Sequence, residues 1–263
     1  MKKNDKVRVA FFLLTCFLSQ FLFFTLDAIN QTADVDTPLF SHNLPFEIEI
    51  KKAKVELPAG LHSYAFAVYQ GKWLLIAGRT NGMHTFNPND NFPPQKQNRT
   101  VYVIDPASGR TYSRSLEEAY SGLQEWQMDL LSVTSSQFLQ VDKTLYIVGG
   151  YGVNSFKGTF STKPFLTAID IPCLIKWVTH RCHESIEGAF RHLQHPIFQV
   201  TGGVMTQITG GPILLLVGQN FKGAYTPASS GVYTKQIRRF KLIDDGQKLK
   251  VKTYRSNPFG KDP

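Results

Sequence analysis

The sequence predicts an all-β protein built from a repeated unit of antiparallel strands. Aromatic residues, which favour strands, make up 13% of the chain, and 20 glycines supply turns. Gly78, Gly150 and Gly218 each end an apolar run, and they lie 72 and 68 residues apart. With 42% hydrophobic and 19% charged residues, the 263-residue chain is able to bury a core, which excludes a disordered protein.

Each repeat begins with two strands that lead to its glycine. In the first, we interpret residues 61–68 as an alternating strand and residues 70–72 as a turn, and residues 73–77 are apolar. Residues 136–148 and 204–217 repeat this order. The pattern predicts a half-buried strand, a tight turn, a buried strand and a glycine where the backbone bends.

Two further strands are predicted after each polar loop that follows the glycine. They fall at residues 100–105 and 110–114 in the first repeat, and at 236–242 and 248–254 in the third. Residues 165–170 occupy the matching place in the second. Four antiparallel strands per repeat are typical of a propeller blade, and repetition about an axis buries the faces between blades.

The motif Ile147-Val148-Gly149-Gly150 resembles the hydrophobic run and diglycine of kelch-repeat β-propellers. Further matching stretches are residues 60–67, 148–152, 164–168, 200–203 and 236–240. Over residues 45–255 the chain is most similar to large secreted bacterial kelch proteins. The resemblance implies a kelch-type β-propeller of about three four-stranded blades, an incomplete ring, at roughly residues 58–118, 130–200 and 200–256.

The N-terminus predicts export. Lys2, Lys3, Lys6 and Arg8 precede an uncharged run of 18 residues, 9–26, of which 14 are apolar. A basic head before an apolar helix is typical of a cleaved signal peptide or a retained membrane anchor, and both remain open. Residues 1–28 are therefore assigned as leader and 29–45 as linker. Either reading places the body in the periplasm, outside the cell or on the outer side of the membrane.

Three blades do not close a propeller, which takes about 4–8. Residues 46–263 are assigned to the partial propeller, and the alternating residues 46–50 predict a strand that completes a last blade. We expect either a truncated or split gene product, or closure by oligomerisation. Self-association would use open blade faces that carry residues such as Phe66, Leu75, Leu214 and Leu216.

Motifs for catalysis and cofactors are missing from the sequence. It has no Gly-x-Ser-x-Gly, no His-Glu-x-x-His and no Walker loop, and the group around His180, Cys182 and His183 has no standard zinc spacing. No metal and no cofactor are predicted. Cys173 and Cys182 are candidates for a disulfide in an exported protein, and two free thiols are the alternative.

The net charge of +9 lies partly in the leader and partly late in the chain. Residues 248–252 alternate lysine with apolar residues, which favours an edge strand with one wet face. Aromatics for base stacking are not interleaved with these lysines, so no nucleic-acid partner is expected. An anionic glycan or lipid surface stays open as a partner.

The loops after each second strand and before each first strand should open on one face of the propeller. This predicts a ligand-binding mouth lined by eight residues: His62, Ser63, Arg79, Asn81, His84, Tyr151, Gln219 and Asn220. Such side chains can form hydrogen bonds with a polyol or a carboxylate. They can equally form hydrogen bonds with the backbone groups of their own loops, and this alternative stays open.

The function that this pattern favours is an exported, non-catalytic binding or interaction module for a protein or carbohydrate ligand. The alternative is a carbohydrate-active kelch enzyme of the sugar-mutarotase kind, whose residues need no local spacing. A copper oxidase of the kelch class is disfavoured, because neither Cys173 nor Cys182 lies near a tyrosine in the sequence.

Overall fold

The computed structural model describes residues 46–51, 55–58, 60–83, 85, 91–180, 184–226 and 231–258. The leader and linker predicted at residues 1–45 lie outside this part of the chain. The chain divides into two compact units, Met1–Lys51 and Lys52–Pro263. Among the described helices, none is long and apolar enough to cross a bilayer.

The strand predicted at residues 46–50 is wrong. Residues 46–51 of the first unit form no strand, and Phe46, Ile48 and Ile50 are exposed. Alternation makes a residue run suitable for a sheet, but a strand also needs main-chain partners that satisfy its donors and acceptors.

The second unit is mostly antiparallel β, which confirms the predicted all-β class. Sheet 1 contains β1 (Ala65–Tyr69), β2 (Lys72–Ile76), β3 (Thr100–Asp105) and β4 (Arg110–Ser115) in that order. A short helix, α1 (Glu125–Leu131), follows it.

Sheet 2 begins with β5 (Gln137–Val141) and β6 (Thr144–Val148). A separate hairpin of β7 (Tyr151–Asn154) and β8 (Thr159–Thr162) follows, and then β9 (Phe165–Asp170), α2 (Ile171–His180) and β10 (Phe190–Gln194). The strand order in sheet 2 is β5-β6-β9-β10.

Sheet 3 begins with β11 (Val204–Gln207) and β12 (Ile213–Leu216). A second hairpin, β13 (Gln219–Asn220) and β14 (Val232–Tyr233), precedes the long strands β15 (Gln236–Asp244) and β16 (Leu249–Pro258). The strand order is β11-β12-β15-β16, so each sheet of four contains a first pair, a loop and a second pair.

The three repeat glycines occupy the same place in the three sheets, directly after the second strand. Gly78, Gly150 and Gly218 have φ values of 86°, 82° and 82°. The residue before each of them is left-handed as well. Two successive left-handed residues turn the chain out of the sheet, a conformation that glycine adopts without strain.

The sheets pack face to face through alternating residues of the central strands. In β6, Leu145 and Ile147 belong to the core shared with sheet 1. Tyr146 and Val148, on the opposite face, belong to the core shared with sheet 3. A strand buried on both faces therefore appears in the sequence as an unbroken apolar run.

Helix α2 lies against the outer strands of sheet 1. Its Trp177 is fully buried, and the Arg114 guanidinium from β4 lies 4.1 Å from the Trp177 ring centroid. Arg114 Nη1 also donates to the Trp177 carbonyl at 2.9 Å. This cation–π contact and hydrogen bond join α2, the helix between β9 and β10 of sheet 2, to the outer strand β4 of sheet 1.

A partly buried charge pair joins sheet 2 to sheet 3. Arg191 Nη2 donates to Asp244 Oδ2 at 2.6 Å, and the Tyr146 hydroxyl donates to the same oxygen at 2.9 Å. Burial alone would raise the pKa of Asp244, but hydrogen bonds from Arg191 and Tyr146 help to hold it below its ordinary value. Burial, together with Asp244, raises the pKa of Tyr146 to about 12.

Gly149→Ala should destabilise the fold far more than Gly158→Ala. The two glycines have nearly equal φ values, 63° and 62°, so the backbone strain is matched. A Cβ at 149 would lie 1.9 Å from the Val200 carbonyl oxygen, whereas one at 158 meets nothing within 4 Å. We expect losses of about 1 kcal/mol for Gly158→Ala and about 3 kcal/mol for Gly149→Ala, measured by denaturant unfolding. Equal losses would contradict the close contact between sheets 2 and 3.

Asp244→Asn should remove a pH-dependent part of the stability. Because the pKa of Asp244 is lowered in the folded state, its contribution is present above the unfolded value of about 3.9 and is lost as the pH falls through the folded value. We expect a loss of about 1.5–3 kcal/mol at pH 7 and a difference from wild type that shrinks below about pH 4. Asp142→Asn, at an exposed turn residue, is the control and should change little. A constant difference across this pH range would contradict the ion pair.

Candidate functional site

A pocket of about 190 Å³ lies where the loops of the three sheets meet. We call it the mouth pocket. Of the predicted mouth residues, His62, Ser63, Arg79, Tyr151 and Gln219 line it. Its other lining residues are Phe92, Thr134, Ser135, Thr201, Gly202, Phe221 and Tyr225.

Repeated backbone bridges bring these side chains together. In each sheet, a residue before the first strand pairs antiparallel with the residue after the repeat glycine. The three pairs are His62 with Arg79, Thr134 with Tyr151, and Thr201 with Gln219. His62 N donates to the Arg79 carbonyl at 2.9 Å and Arg79 N to the His62 carbonyl at 3.0 Å. The bridges fix both residues of each pair at the rim of the pocket.

Arg79 is a buried charge, and no acidic residue lies beside it among the described residues that line the pocket. Its side chain and backbone are only 3% exposed, and Nε and Nη1 are buried without a hydrogen bond among the described residues. The guanidinium carbon lies 4.7 Å from the Phe92 ring centroid, and burial lowers the pKa of Arg79. A cation–π contact offsets part of the desolvation, but the two N–H groups still need an acceptor.

Aromatic side chains from two loops and from the start of β7 form one wall of the pocket. Phe92 contacts Tyr151 and Tyr225 edge-on, with ring centroids 5.3 and 5.4 Å apart. Phe221 contacts Tyr151 at 5.6 Å in the same manner. The Tyr151 hydroxyl donates to the Gly223 carbonyl at 2.7 Å, and burial raises the pKa of Tyr151. These rings supply flat apolar surface beside the Arg79 cation.

Hydroxyl groups complete the polar side. Thr134 Oγ1 is buried and makes no hydrogen bond within the described residues, although it could both donate and accept. Thr201 Oγ1, by contrast, donates to the Ser135 carbonyl at 3.1 Å. Ser63 Oγ and His62 Nδ1 lie 2.6 Å apart. Among the described residues that line the pocket, Arg79 and Thr134 are therefore the ones with fully buried side-chain atoms that make no hydrogen bond.

Hydrogen bonds connect the two sides of the rim that follow sheets 2 and 3. Thr162 N donates to the Phe221 carbonyl at 2.9 Å, and Phe221 N donates to Thr162 Oγ1 at 2.8 Å. Gly223 N donates to the Phe160 carbonyl at 2.9 Å. The loop that carries Phe221 is thus hydrogen-bonded to the β7–β8 hairpin.

The other predicted mouth residues lie elsewhere. Asn220 does not line the pocket; it follows Gln219 along β13, and successive residues of a strand face opposite sides. Asn81 lies in the turn where Gly82 N donates to the Gly60 carbonyl, and it does not line the pocket either. His84 falls outside the described residues.

Phe92, Phe221 and Tyr225 were missed in the sequence. Phe92 lies in the loop between β2 and β3, whereas Phe221 and Tyr225 lie in the loop between β13 and β14, and the three share no spacing to the glycines. Among the aromatic residues that line the pocket, Tyr151 was the one that the sequence predicted, because it directly follows the repeat glycine Gly150.

The predicted disulfide lies partly outside the described residues. Cys173 is near the start of α2, where its N–H donates to Asp170 Oδ1 at 2.8 Å, but Cys182 falls in the undescribed segment 181–183. The pairing stays a prediction. Within the described ranges, no group of three or more His, Cys, Asp or Glu residues could hold a metal.

A larger cleft of about 440 Å³ lies beside Arg99, Gln97 and Glu117. There the Arg99 guanidinium already contacts three carboxylates, from Glu117, Glu125 and Asp129, at 2.5–3.1 Å. Because three carboxylates already neutralise the Arg99 charge and accept its hydrogen bonds, this guanidinium is poorly suited to bind an anionic ligand. We therefore assign the site to the smaller mouth pocket.

Comparisons with known proteins give little more. No family model and no curated protein matches the chain. A solved structure of YjhT is similar at 13% identity with a TM-score of 0.43. The match covers 77% of this chain and 54% of that one, so the chain spans about half the length of YjhT.

Arg79→Met should leave the fold as stable as wild type or stabilise it by about 1 kcal/mol, because it removes a buried charge that has no acidic partner among the described residues. Arg99→Met should instead destabilise by roughly 1–3 kcal/mol, because it leaves the carboxylate of Asp129 buried without its cation. Thermal and denaturant unfolding of the two variants measure this contrast. A larger loss for Arg79→Met than for Arg99→Met would show that Arg79 is a structural residue.

Proposed function

We propose that this chain is an exported kelch-type propeller segment and that it acts as a non-catalytic binding module. Its ligand site is the mouth pocket, and its ligand is a small molecule that carries a carboxylate, such as an acidic sugar. The observation that carries the proposal is Arg79, which is 3% exposed and has two buried nitrogens without acceptors among the described residues.

A carboxylate fits the donors of the pocket. The Arg79 guanidinium is planar and presents its N–H groups in pairs that match the two oxygens of a carboxylate, and Nε and Nη1 each have hydrogen-bonding capacity for such an acceptor. No acidic residue lies among the described residues that line the pocket, so an anion meets no like charge there. Binding would supply the acceptors that the described residues do not provide and would compensate the buried charge.

The remaining lining suits the body of a small polar ligand. The rings of Phe92, Tyr151 and Tyr225 offer apolar contact, and the Thr134 hydroxyl offers a further hydrogen bond. Pockets with aromatic walls and a few oriented polar groups are typical of small-molecule sites. The volume of about 190 Å³ favours one sugar-sized group over a large ligand.

The repeat supports the propeller assignment. Three successive sheets have the same strand order, the same left-handed glycine and the same bridge beside the mouth. The basic and apolar leader supports export.

An enzyme of the mutarotase kind is the second candidate, and one observation favours it. His62 Nδ1 lies 2.6 Å from Ser63 Oγ at the rim, where the pair could move a proton to or from a sugar oxygen. Ring opening of a sugar is helped by a side chain that accepts or donates a proton at a sugar oxygen. The enzyme would convert a sugar between anomers, whereas the module would only bind it.

Calorimetric titration with galacturonate and galactose tests the proposal, because these sugars differ in the carboxylate. We expect galacturonate to bind and galactose to bind about ten- to a hundredfold more weakly. Arg79→Met should lower galacturonate affinity by a similar factor. Arg110→Met removes an exposed arginine at the β3–β4 turn and should leave binding unchanged.

Equal binding of the two sugars, or equal loss in both arginine variants, would contradict a carboxylate site at Arg79. Anomer interconversion is followed by NMR on the same samples. If the unsubstituted chain accelerates anomer interconversion and the His62→Asn variant does not, the protein is an enzyme and the binding-module proposal is wrong.

A further inference from the structure

We propose that the ligand site has a second compartment beside the mouth pocket, and that this compartment binds an uncharged sugar unit joined to the acidic one. The inference rests on the proposed function, because it takes the carboxylate to be bound at Arg79. It narrows the ligand class to a glycan in which a uronic acid is linked to a neutral sugar.

A cavity of about 270 Å³ adjoins the mouth pocket. We call it the side pocket. Phe92, Tyr151 and Tyr225 line both cavities, so the two share this aromatic wall. The other residues that line the side pocket are Asn91, Pro93, Pro94, Gln95, Phe160 and Ala224. A ligand of two units that reaches over the shared rings would place one unit in each cavity.

The side pocket is built by the connections that follow the three repeat glycines. Residues 91–95 belong to the loop between β2 and β3, and Phe160 belongs to the β7–β8 hairpin. Ala224 and Tyr225 belong to the loop between β13 and β14. The same connections carry residues of the mouth pocket, so both cavities belong to one face of the protein.

Backbone hydrogen bonds fix the walls of the side pocket. Lys96 N donates to the Pro93 carbonyl at 2.9 Å, and Thr80 N donates to the Lys96 carbonyl at 2.8 Å. The two successive prolines, Pro93 and Pro94, restrict the backbone of this segment further. On the other side, the loop of Ala224 is held by the bond from Gly223 N to the Phe160 carbonyl. The shape of the cavity is therefore set by the fold.

Asn91 is the polar group that points to a ligand. The residue is 2% exposed, and its Nδ2 donates to the Tyr225 carbonyl. Its Oδ1 is buried and accepts no hydrogen bond among the described residues. A buried amide oxygen without a donor costs free energy, which a hydroxyl group of a bound sugar would recover by donating to it.

The lining selects an uncharged unit. No charged residue lies among the described residues that line the side pocket, whereas the mouth pocket contains the Arg79 guanidinium. A second carboxylate in the side pocket would lose its hydration without gaining a cation. The two cavities therefore differ in the charge of the unit that each accepts.

The rings and prolines provide flat apolar surface for the carbon-bound hydrogens of a sugar ring. The Tyr151 and Phe160 rings are stacked, with centroids 5.7 Å apart and an angle of 27° between their planes. Gln95, an exposed residue at the same cavity, adds a side-chain amide that both donates and accepts. Apolar walls with a few polar groups are typical of small-molecule sites.

Calorimetric titration with three acidic sugars tests the inference. Galacturonosyl-rhamnose carries a neutral second unit, digalacturonate carries a charged one, and galacturonate has none. We expect galacturonosyl-rhamnose to bind about tenfold more tightly than galacturonate, because the second unit adds a hydrogen bond and ring contacts. Digalacturonate should bind more weakly than galacturonosyl-rhamnose.

Filling the side pocket should remove this gain. Ala224→Trp places a large side chain at an exposed position of the side pocket and removes no polar group of the fold. We expect equal affinities for galacturonosyl-rhamnose and galacturonate in this variant, with the galacturonate affinity unchanged. Ala107→Trp, at an exposed alanine in the β3–β4 turn, is the matched control and should keep the tenfold gain.

Asn91→Leu removes the amide at nearly constant size and should lower the gain for galacturonosyl-rhamnose by several-fold. Its galacturonate affinity serves as the check that the mouth pocket is intact. In contrast, Arg79→Met should weaken the binding of both ligands by a similar factor, because both place their carboxylate there.

The outcomes separate this inference from the proposed function. Galacturonate binding without a gain for galacturonosyl-rhamnose would overturn the side pocket and leave the binding module in place, whereas no binding of either ligand would overturn both. A gain that survives Ala224→Trp would put the second sugar elsewhere. Loss of galacturonate binding in that variant would show that the two cavities are not separate compartments. Either result would also overturn the inference.

Discussion

The architecture depends on one hydrogen bond, donated by the amide of a left-handed glycine to a carbonyl of the next sheet. Gly78 and Gly150 each make it, at 2.8 and 2.9 Å. The bond needs a backbone that turns out of the sheet at that residue. A side chain there would collide with the segment that leads into the first strand of the same sheet, because a Cβ would lie 2.5 Å from the His62 carbonyl oxygen at Gly78 and 2.7 Å from Val133 Cγ2 at Gly150. The same turn carries the following residue to the mouth, so the packing of the sheets and the position of Arg79 and Tyr151 have a common cause.

The parts of the fold that were predictable are those set by local pattern. The glycine intervals and the apolar runs before them located the first two strands of each sheet, because a strand buried on both faces needs an unbroken apolar run. Residues 46–50 show the limit of pattern, since alternation describes a suitable side-chain order and says nothing of a pairing partner. The mouth was partly predictable for the same reason: His62, Arg79, Tyr151 and Gln219 have fixed positions relative to the repeat, whereas Phe92 and Tyr225 reach the pocket through loops whose course depends on tertiary contacts.

Two arginines show why composition alone could not identify the site. Arg79 and Arg99 begin and end the same loop, yet Arg99 has three carboxylate neighbours and Arg79 has an aromatic ring and buried nitrogens without acceptors in the described structure. The difference arises from α1, which brings Glu125 and Asp129 to Arg99. A folded protein keeps a buried charge without an acidic partner only where other interactions offset its desolvation, and such exceptions concentrate at binding sites.

The ladder of hydrogen bonds between the β7–β8 hairpin and the loop at Phe221 has a kinetic consequence. Because Thr162 and Phe160 hold that loop in place through its backbone, this side of the mouth is already formed before a ligand arrives. Little conformational entropy remains to be lost there on binding, and encounter needs no slow opening step. Two ligands that differ by one group would then differ mainly in their dissociation rate constants and little in their association rate constants.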